Sequence, residues 1–202
     1  MVGINIETLL SDTLGSVKNT AELCGSIHST EGLAPIFQEA PQCIDLLQQI
    51  LQSVQDQLAA GALDTDDDDL SDSLKTTKKE VKHLESIYRD IAPEGATSRV
   101  DRYQAAVRKP GMDRVEVLLL RLLEVLNDLV EDGVIKTTAE HTKALSDAID
   151  KLSAMEPSVP DEKSGFHHSG SGDMYNNTGL GTQNINKGRG TQNIAKTMRI
   201  GK

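Results

Sequence analysis

The chain of 202 residues has no tryptophan, two phenylalanines and three tyrosines. With aromatics at 2% and hydrophobic residues at 37%, any core must be built from Leu, Ile, Val and Ala, which suits helices packed side by side better than a β-sandwich. Only two cysteines occur, Cys24 and Cys43, both at apolar positions of helical patterns, which favours buried free thiols over a disulfide. No stretch reaches the roughly 18 uninterrupted apolar residues of a membrane span. The N-terminal segment is broken by Glu7, Asp12, Lys18 and Glu22 and shows no secretory pattern, so a cytoplasmic protein is expected. Basic residues are outnumbered 21 to 31, giving a net charge of −10 and a pI near 4.9. That balance disfavours binding of a phosphate backbone by the body of the chain, and no nucleic-acid partner is expected.

Catalytic signatures are missing as well. The sequence contains no phosphate-binding Gly-x-x-x-x-Gly-Lys-Ser/Thr loop, no His-Glu-x-x-His helix, no Cys-x-x-Cys pair and no Gly-x-Ser-x-Gly elbow. His167 and His168 adjoin without a third ligand, and His28, His83 and His141 fall singly on helical patterns, where they read as surface or rim residues. Glu39, Glu116 and Glu124 read as charges on exposed helix faces, not as acid-base pairs. No enzyme, cofactor or metal site is expected.

What the sequence does contain is helical periodicity. Residues 4–28 carry Leu10, Leu14, Val17, Ala21 and Cys24 on one stripe. After "STEGLAP", Pro35 suits a first helical position, and Phe37, Ala40, Ile44, Leu47, Leu51, Val54 and Leu58 alternate three and four apart, a seam for neighbouring helices. Pro41 inside that seam predicts a kink or a later helix start. In "LDTDDDDLSD" the acids suit a helix N-terminus, where unpaired N–H groups and the dipole favour negative charge; a calcium loop would need a Gly and a terminal Glu that are missing. The same spacing returns in Leu70, Leu74, Thr77, Val81, Leu84, Tyr88 and Ile91, ending before Pro93. Val100, Tyr103 and Val107 mark a short helix stopped by "KPG". Asp113 and Glu116 form a capping-box pattern ahead of Val115, Leu118, Leu119, Leu122, Leu123, Val125, Leu126 and Leu129, which cover most of a helix circumference and predict a central element. A second capping box, Thr137 and Glu140, precedes Leu145, Ala148, Ile149, Leu152 and Met155.

The expected fold is therefore all-α: one bundle of about six helices over residues 1–156, a flexible linker over 157–169 rich in Pro, Gly and charge, and a repeat region over 170–202. This last region carries five basic residues against the single acid Asp173, a charge of +4 beside −14 for the rest. It contains "GLGTQNINK" and "GRGTQNIAK" back to back, and the preceding "GSGDMYNNT" keeps the Gly-x-Gly start and the Asn at the sixth position. Each Gly-x-Gly can turn and the following residues can extend. One such unit buries too little to offset ordering at roughly 1–2 kcal/mol per residue, so the region alone is expected to be disordered. Stacked on copies of itself it gains backbone pairing, Asn and Gln ladders and dry rows of Ile185 and Ile194. A plain spacer would need no repeat in register, a calcium nonapeptide would need Asp in every copy, and an RNA-binding tail would want more aromatics than Tyr175.

The repeat resembles the sigma-type amyloid signalling motif of filamentous fungi, with Gly179, Gly181, Thr182, Gln183, Asn184 and Ile185 in one unit and Gly188, Gly190, Thr191, Gln192, Asn193 and Ile194 in the next. The body, through "GLAPIFQEAPQCIDLLQQILQSVQDQL", "LKTTKKEVKHLESIYRDIAP" and the stretch from Ser98 to Val130, is similar to the fungal SesA domain, a HeLo-like helical death domain. The resemblance implies a cell-death effector or adaptor of heterokaryon incompatibility or NLR-type immunity. In such systems an NLR or STAND receptor with a matching motif templates the prion-like repeat into amyloid and clusters the helical domains, with relocation to a membrane on activation. The alternative from the residues alone is a cytosolic helical protein-protein adaptor whose tail is a spacer.

Overall fold

The computed structural model describes residues 5–63, 68–95 and 97–160, and they carry six helices and no strand. These are α1 (Ile6–Gly25), α2 (Ile36–Ala59), α3 (Asp68–Ile91), α4 (Arg99–Val107), α5 (Val115–Glu131) and α6 (Ala139–Ser153). They belong to a unit that ends at Asp161; residues 162–202 form the other unit and lie outside the described residues.

The four longest apolar faces close into a ring. Helix α1 packs on α2 and α3, and α5 completes the ring by packing on the other sides of the same two helices. Helix α6 lies on α5 and α2, and α4 on α3. The stripes read from the sequence point inward: every member of the α2 and α3 seams is buried, and Leu118, Leu119, Leu122, Leu123 and Leu126 of α5 have no measurable exposure. Their position in the ring explains why α5 is apolar around most of its circumference. The three aromatics of the described residues meet at one place, where Phe37 of α2 meets Tyr103 of α4 edge-on at 4.9 Å and 90° and Tyr88 of α3 at 6.0 Å and 73°. Both arrangements set a positive ring edge against a negative face.

Several expectations shift at the helix ends. Helix α2 begins at Ile36 and runs through Pro41 without restarting there, with Pro35 as its N-cap. Pro41 is the sixth residue of the helix, so its absent N–H forgoes one intrahelical bond, the one to the Phe37 carbonyl, and the helix continues past it. Asp68 and Asp69 do occupy the first turn of α3; Asp66 and Asp67 lie outside the described residues. Neither capping box forms as read. In α6 the cap is Thr138, one residue later than expected, whose Oγ1 accepts from the His141 amide at 3.1 Å. In α5 the N-cap is Arg114 with no side-chain cap bond, and Asp113 instead pairs with Arg121 at 2.6 Å. At the far end of α5, Gly133 takes φ 73°, which turns the chain so that the Ile135 amide reaches the Leu129 carbonyl at 3.1 Å and buries Ile135.

Candidate functional site

The most connected polar site of the bundle lies where the chain leaves it. After α6 ends, residues 157–160 do not run free as the linker composition suggested. They lie along the start of α5, with Val159 only 7% exposed. Ser158 is held at both of its polar atoms by Glu116: its amide donates to Oε1 at 2.9 Å and its hydroxyl to Oε2 at 2.7 Å. Arg114 donates to the Val159 carbonyl at 3.1 Å and sets its Nε 3.4 Å from Glu116 Oε1. The strap is thus gripped at one backbone N–H and one backbone C=O, on the adjacent residues Ser158 and Val159.

Tyr103 completes the arrangement. Its hydroxyl accepts from the Val115 amide at 3.2 Å, one of the orphan donors at the start of α5 that no cap side chain satisfies. The same hydroxyl lies 2.5 Å from Ser158 Oγ. Because the single Ser158 hydroxyl proton goes to Glu116, Tyr103 is the donor in that contact, and the chain of hydrogen bonds runs Tyr103 to Ser158 to Glu116. Burial pushes the Tyr103 phenol up to about 12, against the opposing pull of the Ser158 and Val115 bonds. Glu116 is 6% exposed, which corrects its reading as an exposed-face charge. A carboxylate there is tolerated because Ser158 and Arg114 surround both oxygens; hydrogen bonds to charged groups of this kind contribute about 1.5–3 kcal/mol each.

Two other buried carboxylates sit elsewhere on α3. Glu85 pairs with Arg89 at 2.6 Å. Glu80 faces Arg121 at 3.8 Å and His83 at 4.0 Å, outside hydrogen-bond reach, and its Oε2 has no hydrogen-bond partner. Among the described residues no three His, Cys, Asp or Glu side chains converge as metal ligands. Of the other residues singled out in the sequence, Glu39 pairs with Lys151 across α2 and α6 at 2.5 Å, Glu124 is exposed, and His141 bridges Thr137 at 3.1 Å and Gln49 at 3.2 Å. A groove of about 330 Å³ between α2 and α6 has Cys43 and Leu46 on its α2 wall; burial and then the Glu39 carboxylate push the Cys43 thiol up to about 11. Cys24 is buried too, and both thiols are free. No helix of the described residues is long and apolar enough to cross a membrane.

The twelve repeat positions, Gly179, Gly181, Thr182, Gln183, Asn184, Ile185, Gly188, Gly190, Thr191, Gln192, Asn193 and Ile194, lie outside the described residues, as do His167 and His168. The strap was missed in the sequence although a signal for Glu116 existed: it falls on the stripe with Leu119, Leu123 and Leu126, spaced three and four apart, which is a core position.

The helical body and the C-terminal repeat each match a domain model described as occurring on NACHT-type NTPases. Residues 10–129 match the SesA model, described as the N-terminal domain on NACHT and P-loop NTPases, and residues 163–199 match the sigma domain on NACHT-NTPases. The first match spans more than half of the chain, and the chain belongs to the SesA family. Together the two matches place it in NACHT-NTPase-associated signalling. No curated protein and no solved structure matches the chain. Helix α6 and the strap lie between the two matched stretches.

Proposed function

We propose that this protein is a non-enzymatic effector or adaptor of fungal NLR-type cell-death signalling, of the kind that acts in heterokaryon incompatibility. Its C-terminal repeat is the receiver. A NACHT-bearing receptor with a matching repeat templates residues 179–196 into a stacked β-structure, and stacking raises the local concentration of the helical domains until they signal. The observation that carries this reading is Gly-x-Gly-Thr-Gln-Asn-Ile-x-Lys twice in register, inside the stretch matched by the sigma domain and next to a SesA domain. The protein acts in the cytoplasm, and the assembled domains work there or at a membrane.

The physical support is the conditional stability of such a repeat. Alone it has little apolar surface with which to offset chain entropy, and copies above and below supply backbone partners, Asn and Gln ladders and rows of isoleucine. A proline in each repeat removes a ladder donor. Replacing Gln183 and Gln192 together by proline therefore abolishes seeded assembly, read by thioflavin fluorescence and the cross-β reflection, and leaves the melting of the bundle unchanged. Assembly at the wild-type rate in that double variant, or an equal loss of helical stability, overturns the reading. If the tail is a mere spacer, deleting residues 170–202 leaves partner binding intact; on our reading it severs the protein from its receptor.

A further inference from the structure

We infer that Tyr103, Arg114 and Glu116 form a reversible clamp on residues 157–160, and that the clamp restrains assembly of the C-terminal repeat by shortening its tether. The coupling rests on the assembly reading above, whereas the clamp is made of the contacts already described. Its grip is concentrated at two adjacent residues: the Ser158 amide and hydroxyl on Glu116, the Val159 carbonyl on Arg114, and the buried Val159 side chain. Glu156, Pro157 and Pro160 on either side are exposed. The strap is none of the four ring helices, and of its side chains only Val159 belongs to the buried cluster, so letting it go exposes that one apolar side chain and leaves the ring helices in place.

Tether length matters because the two parts of an assembled chain have incompatible sizes. A compact unit of this length is roughly 40 Å across, from the size scaling of folded domains. Stacked layers repeat every ~4.8 Å, so copies contributing two layers each follow one another at about 10 Å. Helical domains cannot sit side by side at that spacing and must fan outward. With the clamp closed, Val159 is held on the bundle, and the matched sigma stretch begins at Lys163. The four residues 160–163 reach about 14 Å at most, whereas release back to Met155 gives the eight residues 156–163 and about 28 Å. Opening the clamp doubles the reach that fanning requires.

The full chain is tested in three forms, wild type, Glu116→Gln and Ser158→Pro, by hydrogen exchange on the monomer and by elongation on preformed fibrils of residues 163–199. Ser158→Pro changes only the strap and guards against a Glu116 variant that misfolds. We expect the amides around Ser158 to exchange at least ten-fold slower than a free chain in the wild type and at the free-chain rate in Glu116→Gln, with α5 protection retained. Elongation of both variants is expected to be at least three-fold faster than wild type. Free-chain exchange at Ser158 in the wild type removes the clamp. Equal or slower elongation of the variants removes its coupling to assembly while leaving the clamp. Failure of all three chains to elongate rejects the assembly reading together with the coupling, and the exchange result still decides whether the clamp exists.

Discussion

Tyr103 does three jobs with one side chain. Its ring packs edge-on against Phe37, its oxygen takes the orphan Val115 amide, and its proton goes to Ser158. Tyr103→Phe keeps the ring and loses both hydrogen bonds, and should destabilise the fold by about 1–3 kcal/mol in urea unfolding because a buried amide is left without a partner. No change in the midpoint would mean that water reaches the start of α5. The buried acids of this region also set a pH dependence. The Cys43 thiol is raised from 9.0 to about 11 and the Tyr103 phenol from 10.0 to about 12, and burial raises Cys24 and Tyr88 in the same direction. Each group holds its proton more tightly folded than unfolded, so the stability this contributes is complete below pH 9 and is lost as pH rises through 11 and 12. Denaturant midpoints should be flat from pH 7 to 9 and fall steadily above it. At the acid end, the Lys78 ammonium holds the exposed Asp12 carboxyl below its ordinary value, a contribution present at neutral pH and lost as pH falls through that lowered value.

At the scale of helices, periodicity carried most of the fold and end chemistry carried least. The stripes of α2, α3 and α5 are visible in sequence because a three-four spacing is a local property of the chain, and burial followed it at every position named but Val125, which is half-buried. Caps were displaced by a residue or replaced because the choice among neighbouring polar side chains is made by tertiary contacts. Asp113 was free to pair with Arg121, and Tyr103 then took over the amide at the start of α5. The Asp-x-x-Glu spelling suggests a capping box, yet its Asp113 pairs with Arg121 and its buried Glu116 holds Ser158. What decides the role of Glu116 is Ser158, 42 residues away in the chain, which no local pattern encodes. The burial map predicts its own hierarchy of substitutions: Leu122→Ala on α5 should cost about 2–5 kcal/mol through lost transfer energy and a cavity, whereas Glu124→Ala, two residues on and exposed, should stay within about 0.5 kcal/mol. Equal effects in a urea titration would contradict the inward orientation assigned to α5.

The whole molecule divides into residues 1–169, of charge −14, and residues 170–202, of charge +4 and different composition. The body holds itself together through a closed ring of apolar faces; the repeat, on this account, gains order only from copies of itself. The two family matches fall at residues 10–129 and 163–199, the second beginning inside the stretch expected as a linker over 157–169. The most direct measurement is hydrogen exchange on the full chain before and after incubation with preformed fibrils of residues 163–199. The account predicts that amides of residues 179–187 and 188–196 pass from unprotected to strongly protected while those of α5 stay protected throughout. Protection of the repeat before seeding, or its absence afterwards, would contradict it.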